Sequence, residues 1–263
     1  MQWFAILTLY ALASWASAVT YPCAGCLAQY FTTSTNTQDT SGNGYTLLAY
    51  LGGAPAVSTP CVVVGTNGAG PFTTTAYFEQ DAAFRAAWAN QANFAIGGYF
   101  YFTSLDPNFN FIVSATNLAA NTYGWWVGGD GSVTWWHPEG AATVTLPAGT
   151  ITTGVCYAMG IKNDSVAGKT MYAQVQGSPT VVTGTHADTT GTGTNSPTTY
   201  VVIGRFWSGG SVMTGYMNDL TFWTSAPSSF PFDGAVVNNQ LSPYMYNSTS
   251  NRVMPWLFNY PWQ

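Results

Sequence analysis

Hydrophobic and polar residues alternate over short runs along this chain, and turn residues rather than long helical stretches separate the runs. Alternation at period two sends successive side chains to opposite faces, so each run predicts a half-buried β-strand. Such strands are predicted at residues 27–31, 45–51, 61–64, 94–105 and 109–115, and again at 143–146, 155–162, 169–176, 200–206 and 215–223. One stretch departs from this rhythm. Over residues 79–90, Ala83, Phe84, Ala87 and Trp88 recur at a period of about 3.6, which predicts a short helix with Phe84 and Trp88 turned inward. Asp39-Thr-Ser-Gly-Asn-Gly44 reads as a sharp turn, and residues 180–199, rich in Thr, Gly and Ser without periodicity, as an exposed loop. Many short strands closely spaced by turns have the cadence of an antiparallel two-sheet sandwich around a single core.

The most informative run is residues 123–137, Tyr-Gly-Trp-Trp-Val-Gly-Gly-Asp-Gly-Ser-Val-Thr-Trp-Trp-His. Gly-Gly-Asp-Gly tolerates the positive φ of a tight turn, so the segment predicts a hairpin with paired tryptophans on each arm. Adjacent strand residues face opposite ways, so one of Trp125 and Trp126, and one of Trp135 and Trp136, must enter the core. The outward pair, with Asp130, could stack on a sugar ring and read its hydroxyls. Aromatic side chains are also enriched at interfaces, so packing on the C-terminal chain or on a neighbouring subunit is the expectation and glycan binding the alternative.

Composition changes the picture at the surface. Only 6% of the chain is charged, with 5 Lys and Arg against 10 Asp and Glu. No basic surface is available to neutralise a phosphate backbone, which excludes nucleic acid as a partner, and weak charge repulsion favours self-association. At the N-terminus the chain is apolar from Trp3 to Trp15 and ends in Ala16-Ser17-Ala18. Two readings stand: a secretory signal peptide, or a hydrophobic arm that needs a neighbour to bury it. The run is shorter than the roughly 20 residues of a spanning helix, so membrane contact is expected only through an uncleaved signal. At the other end, residues 227–263 combine prolines with many aromatics and suggest a strap on the sandwich or on another subunit. The chain therefore divides into residues 1–22, signal peptide or assembly arm; 23–228, the sandwich; and 229–263, the aromatic extension. Cys23, Cys26, Cys61 and Cys156 suit structural disulfides in an oxidising compartment, with three pairings open. Asn163-Asp164-Ser165 and Asn247-Ser248-Thr249 are N-glycosylation sequons, consistent with secretion to the extracellular space or cell surface.

Several of these segments together resemble the laminin-G-like, concanavalin A-like jelly roll. Residues 39–44 look like its early Asp-x-Ser-Gly-Asn-Gly turn, Phe94-Ala-Ile-Gly-Gly-Tyr-Phe-Tyr-Phe102 like its central aromatic strand, and Met171-Tyr-Ala-Gln-Val-Gln-Gly177 like a strand ending in a Gly turn. Tyr200-Val-Val-Ile-Gly204 and Gly215-Tyr-Met-Asn-Asp-Leu-Thr-Phe-Trp223 are similar to the closing strands. The resemblance runs from about residue 27 to residue 228 and implies two antiparallel sheets with a concave face that in many relatives binds glycans. Cys156-Tyr157 stands where relatives often carry Trp, and neither terminal extension belongs to the domain.

Catalysis finds little support in the residues. Glucanases on such a fold need clustered strand carboxylates, whereas only Glu79-Gln-Asp81 has the spacing, in a segment that reads as helical. No Gly-x-Ser-x-Gly elbow accompanies His137 and His186. Asp39, Asn43 and Asp219 could converge on a calcium ion, although Asp39 serves equally as a turn cap; no other cofactor is implied. The sequence thus favours a secreted, non-enzymatic jelly-roll protein that assembles head to tail with itself, in a filament-like manner, through Trp3, Phe4, Ile6, Leu7, Leu9 and Tyr10 at one end and Trp256, Phe258 and Trp262 at the other. A carbohydrate-binding lectin-like module is the alternative.

Overall fold

The computed structural model describes residues 25–31, 37–51, 68–116, 123–137, 142–175, 178, 180–194, 196–206 and 208–225. The predicted strand at 61–64, Cys23, Cys61, Asn247 and all the residues named for assembly lie outside the described residues. Within them the strands are β1 (Ala28–Tyr30), β2 (Leu47–Leu51), β3 (Ala76–Gln80), β4 (Phe94–Phe102), β5 (Phe109–Thr116), β6 (Tyr123–Gly128) and β7 (Val133–His137). They continue as β8 (Ala142–Leu146), β9 (Cys156–Asp164), β10 (Gly168–Val175), β11 (Val181–His186), β12 (Tyr200–Ile203) and β13 (Gly215–Trp223), with one helix, α1 (Ala82–Trp88). A six-stranded sheet runs β1-β13-β4-β9-β10-β11, and a seven-stranded sheet runs β2-β3-β12-β5-β6-β7-β8. The strand pairs are antiparallel. The result is the jelly-roll-like, all-β sandwich that the alternation predicts.

Alternation also decides what fills the sandwich. Phe94, Ile96, Phe100 and Phe102 of β4, with Met217, Leu220 and Phe222 of β13, are buried in one cluster with Trp125 and Val127 of β6 and Val133 and Trp135 of β7. Each such side chain contributes roughly 1.5–3 kcal/mol on leaving water. Their rings meet across the gap: Phe100 lies 5.3 Å edge-on from Trp125, and Phe94 lies 5.9 Å from Trp135.

The helix is shorter than its sequence pattern suggests. Residues 76–80 pair with β2 and β12 as strand β3, so the helix starts only after Asp81. That residue is the N-cap: its Oδ1 accepts from the Phe84 amide at 2.7 Å, and its Oδ2 accepts from the Thr46 amide at 2.6 Å. Phe84 and Trp88 point inward as predicted. Their rings stack at 5.7 Å, and Trp88 meets Phe222 at 5.4 Å and Phe94 at 5.2 Å, both edge-on. Trp88 Nε1 also donates to the Tyr123 hydroxyl at 3.2 Å. One indole therefore ties β4 and β13 of one sheet to β6 of the other.

Of the loop expected over residues 180–199, the described residues from 187 onward keep the irregular form, but the first part does not. Residues 181–186 form β11 at the edge of the six-stranded sheet, paired with β10. An edge strand needs apolar packing on fewer sides, so Val-Val-Thr-Gly-Thr-His carries little periodic signal. The chain beyond it is held by buried polar bonds: Lys169 Nζ donates to the Asp188 carboxylate at 2.5 Å and to the Thr190 carbonyl, and His137 Nε2 pairs with the Thr192 carbonyl at 2.9 Å.

Replacing Trp88 by Ala removes the indole that joins both sheets. The substitution is expected to lower the unfolding free energy by about 3–5 kcal/mol, read from urea denaturation followed by circular dichroism.

Candidate functional site

The two tryptophan pairs divide as strand geometry requires. Trp125 lies opposite Trp135, and neither ring has exposed surface. Trp126 and Trp136 are partly buried and belong to the outward face of the seven-stranded sheet. Cross-strand register assembles that face in rows. Phe111 of β5 pairs with Trp126 of β6, Trp126 with Thr134 of β7, and Thr134 with Thr145 of β8. In the next row, Ser114 pairs with Gly124, Gly124 with Trp136, and Trp136 with Thr143.

A register shift in β5 between Phe111 and Val113 lets Ile112 and Val113 both enter the core while Phe111 stays outside. The outward rings then cluster. Phe111 lies 5.2 Å from Trp126 and 4.7 Å from Phe206, while Phe109 meets Trp126 edge-on at 5.6 Å. Gly124 permits this closeness, since a Cβ there would lie 2.8 Å from the Phe111 ring and 3.0 Å from the Trp126 ring. Phe109 is 45% exposed whereas Phe111 is nearly covered, so Phe109 and Trp126 form the accessible part of the platform. Hydroxyls of Thr134, Thr143 and Thr145 flank it. Phe109, Phe111 and Phe206 were not among the residues singled out from sequence. The Phe-Asn-Phe alternation at 109–111 carried the signal, but only the pairing with β6 joins it to Trp126.

Across β12 and β3 the same face becomes charged. Glu79 forms an ion pair with Arg85 of α1 at 3.3 Å, and the Arg85 guanidinium lies 4.7 Å over Tyr200, which is 44% exposed. Partial burial raises the Glu79 carboxyl above its ordinary range, and Arg85 opposes the shift. Arg205 lies 3.9 Å over Tyr77 and donates to the Thr74 carbonyl. Glu79 is therefore a strand residue paired with a cation, while Asp81 caps a helix.

Other residues singled out from sequence take different roles. Asp130 sits at the hairpin turn, where Ser132 donates to its Oδ1 from both hydroxyl, at 2.6 Å, and amide, at 2.9 Å; the hydroxyl bond above all lowers its carboxyl below the ordinary range. It is a turn residue, apart from the platform rows. Asp39 accepts from the amides of Gln29, Ser41 and Tyr45 and from the Ser41 hydroxyl, and Asn43 donates to the carbonyls of Cys26 and Leu27. Both hold the turn to β1. Asp219 lies instead in an irregularity of β13, with φ at 50°, fully buried, where desolvation pushes its carboxyl up to about 8. The three do not form a ligand set, and no group of three or more His, Cys, Asp or Glu side chains suited to a metal occurs among the described residues. Asn163 corrects another expectation, because its side-chain nitrogen is buried and donates to the Ala92 carbonyl at 2.7 Å and the Gly191 carbonyl at 3.1 Å. A glycan there is incompatible with this fold. Neither Cys26 nor Cys156 is a free thiol.

No protein-family model matches the chain, and no curated protein matches it. Solved structures do. The binding domain of botulinum neurotoxin serotype G aligns with a TM-score of 0.55 at 10% identity, covering 86% of this chain and 51% of that one. Domain 4 of AbnA, an extracellular arabinanase from Geobacillus stearothermophilus solved with arabinotriose, aligns with a TM-score of 0.53 at 14% identity, covering 81% of this chain and 98% of that one. A botulinum neurotoxin type C structure, described as depending on two ganglioside molecules for cell entry, aligns at 0.50 with 10% identity over 84% of this chain and 51% of that one. The chain spans about half the length of the neurotoxin domains it matches. At these identities the likeness establishes a shared sandwich fold.

Two outcomes follow from the site's electrostatics and burial. Asp219 binds its proton more tightly when folded than when unfolded, so stability is expected to fall as pH rises from about 4 to about 8, by at most about 1.4 kcal/mol per pH unit. Asp219→Asn should flatten that part of the stability profile measured by urea denaturation. Material expressed through a eukaryotic secretory route should show the Asn163 peptide unmodified by mass spectrometry.

Proposed function

We propose that this chain is a secreted, lectin-like module that binds neutral carbohydrate on the outward face of its seven-stranded sheet. The aromatic platform of Phe109, Phe111 and Trp126 carries this reading, with Trp136 and the threonine hydroxyls beside it. Sugar rings stack on aromatic faces while hydroxyls meet hydroxyls, and the rows across β5 to β8 named above carry no charged side chain. Fold neighbours solved in complex with arabinotriose or described with gangliosides lend support, as does the sequence resemblance to laminin-G-like and concanavalin A-like sandwiches. The reading is of binding without catalysis, since Glu79 is paired with Arg85 and Asp81 is engaged as a helix cap. It requires no cofactor. The absence of free thiols at Cys26 and Cys156 agrees with an oxidising, extracellular setting.

Self-assembly through the terminal extensions is the second reading, favoured by a charged fraction of 6%. Sedimentation of the intact chain distinguishes the two: a concentration-independent monomer removes the assembly reading.

An array of neutral oligosaccharides and polysaccharides is expected to yield binding that weakens about tenfold, equivalent to ~1.4 kcal/mol, on Trp126→Ala with the fold preserved. Failure to bind any glycan, or binding untouched by both Trp126→Ala and Trp136→Ala, removes the lectin reading. Hydrolysis of a bound glucan, lost in Glu79→Gln, would replace binding with catalysis.

A further inference from the structure

Strand β6 ends on a glycine at an outward position of the platform sheet. Val127 is buried in the core and Trp126 faces outward, so alternation turns Gly128 outward as well. Its cross-strand partner on β5 is Phe109, the most exposed ring of the platform. Beside Phe109, and one outward position along from Trp126, the sheet therefore has no side chain of its own.

The turn fills that gap. A Cβ on Gly128 would lie 2.8 Å from Asp130 Oδ1 and 2.8 Å from Ser132 Oγ, so these two atoms stand where the missing side chain would point. Asp130 belongs to the turn and not to the platform rows, yet its carboxylate leans back over the outward face. By strand geometry it stands roughly 5 Å from the Cβ of Phe109 and about 7 Å from that of Trp126. One sugar ring spans such distances.

The carboxylate is held in place before any ligand arrives. The Gly149 amide donates to the Asp130 carbonyl at 2.9 Å, and the Ile151 amide to the Gly131 carbonyl at 2.9 Å, which clamps the turn to residues 147–151. Asn110 Nδ2 donates to the Asp106 carbonyl at 3.3 Å and to the Val127 carbonyl at 3.2 Å, fixing the chain that leads into Phe109 against β6. The Ser132 hydroxyl and amide both donate to Oδ1. An ionised carboxylate has about four acceptor positions, so Oδ2 keeps its own for a ligand. Asp130 is exposed, and among the described residues it forms no ion pair. A sugar stacked on an aromatic face presents its hydroxyls at its edge, and a hydroxyl bonded to a carboxylate is held about twice as strongly as one bonded to a neutral acceptor.

We propose that Asp130 is the specificity-determining residue of the platform: its Oδ2 accepts hydrogen bonds from hydroxyls of a neutral sugar ring stacked on Phe109 and Trp126. Gly128 is the positioning residue, since only its bare Cα leaves room for the carboxylate on this face. The inference rests on the lectin reading of the same face and supplies the polar contact that selects among sugars there.

The test measures affinity of the full chain for arabino-, xylo-, cello-, manno- and galacto-oligosaccharides in four forms: wild type, Asp130→Asn, Gly128→Ala and the double variant. Asp130→Asn keeps an acceptor for Ser132 and replaces Oδ2 by a donor, so it should weaken the bound oligosaccharide about tenfold or more with the urea midpoint unchanged. Gly128→Ala keeps every polar group and every ring, and its Cβ displaces the carboxylate. It should weaken the same ligand, and the double variant should bind no worse than Asp130→Asn alone. A smaller loss in Asp130→Asn, where Trp126→Ala still weakens binding, overturns the role of Asp130 and leaves the lectin reading standing. Additive losses in the double variant overturn the role of Gly128. Binding of none of these sugars, or binding untouched by both Trp126→Ala and Trp136→Ala, overturns the proposal and the lectin reading together.

Discussion

Trp125 faces Trp135 across β6 and β7, and this register settles which rings are core and which are surface. A slip by one residue would bring Trp126 and Trp136 inward and turn two buried indoles into water. The buried pair anchors the register because each indole has a partner from the other sheet or its rim, Phe100 for Trp125 and Phe94 for Trp135. Phe94 in turn meets Trp88 of α1, so the helix, both sheets and the hairpin share one aromatic core. The outward platform inherits its geometry from that core: Trp126 is placed beside Phe111 because Trp125 cannot move.

The two outward faces differ in kind. On the seven-stranded sheet, rings and threonine hydroxyls reach solvent, with an Arg85–Glu79–Tyr200 group towards the other edge. On the six-stranded sheet, small residues and tyrosines are covered. A sandwich so poor in charge has few ways to keep both faces soluble.

Buried polar groups set the pH response and limit modification. Asp219 lies buried where β13 loses register with β4, with no charged partner to offset desolvation. Lys169, by contrast, is buried but paired with Asp188, and Asn163 is buried with two carbonyl acceptors. The first destabilises the fold as it ionises, whereas the other two hold the chain after β11 against β9 and β10.

The strands, the sandwich class and the inward direction of Phe84 and Trp88 were legible in the sequence, because period-two and helical patterns are local consequences of burying one face. So was the rule that one tryptophan of each pair enters the core. The sequence could not say which one, nor could it join Phe109 and Phe206 to Trp126, since pairing between strands distant in sequence is chosen by global packing. Strands β3 and β11 escaped for related reasons. Helical spacing of apolar residues ran up to the end of β3, and β11, an edge strand, carries few apolar residues of its own. The sequon at Asn163 and the Asp39, Asn43 and Asp219 set looked like surface chemistry in one dimension. Tertiary structure gave each a separate structural role, because only packing determines whether a polar atom meets solvent, a ligand or a backbone carbonyl.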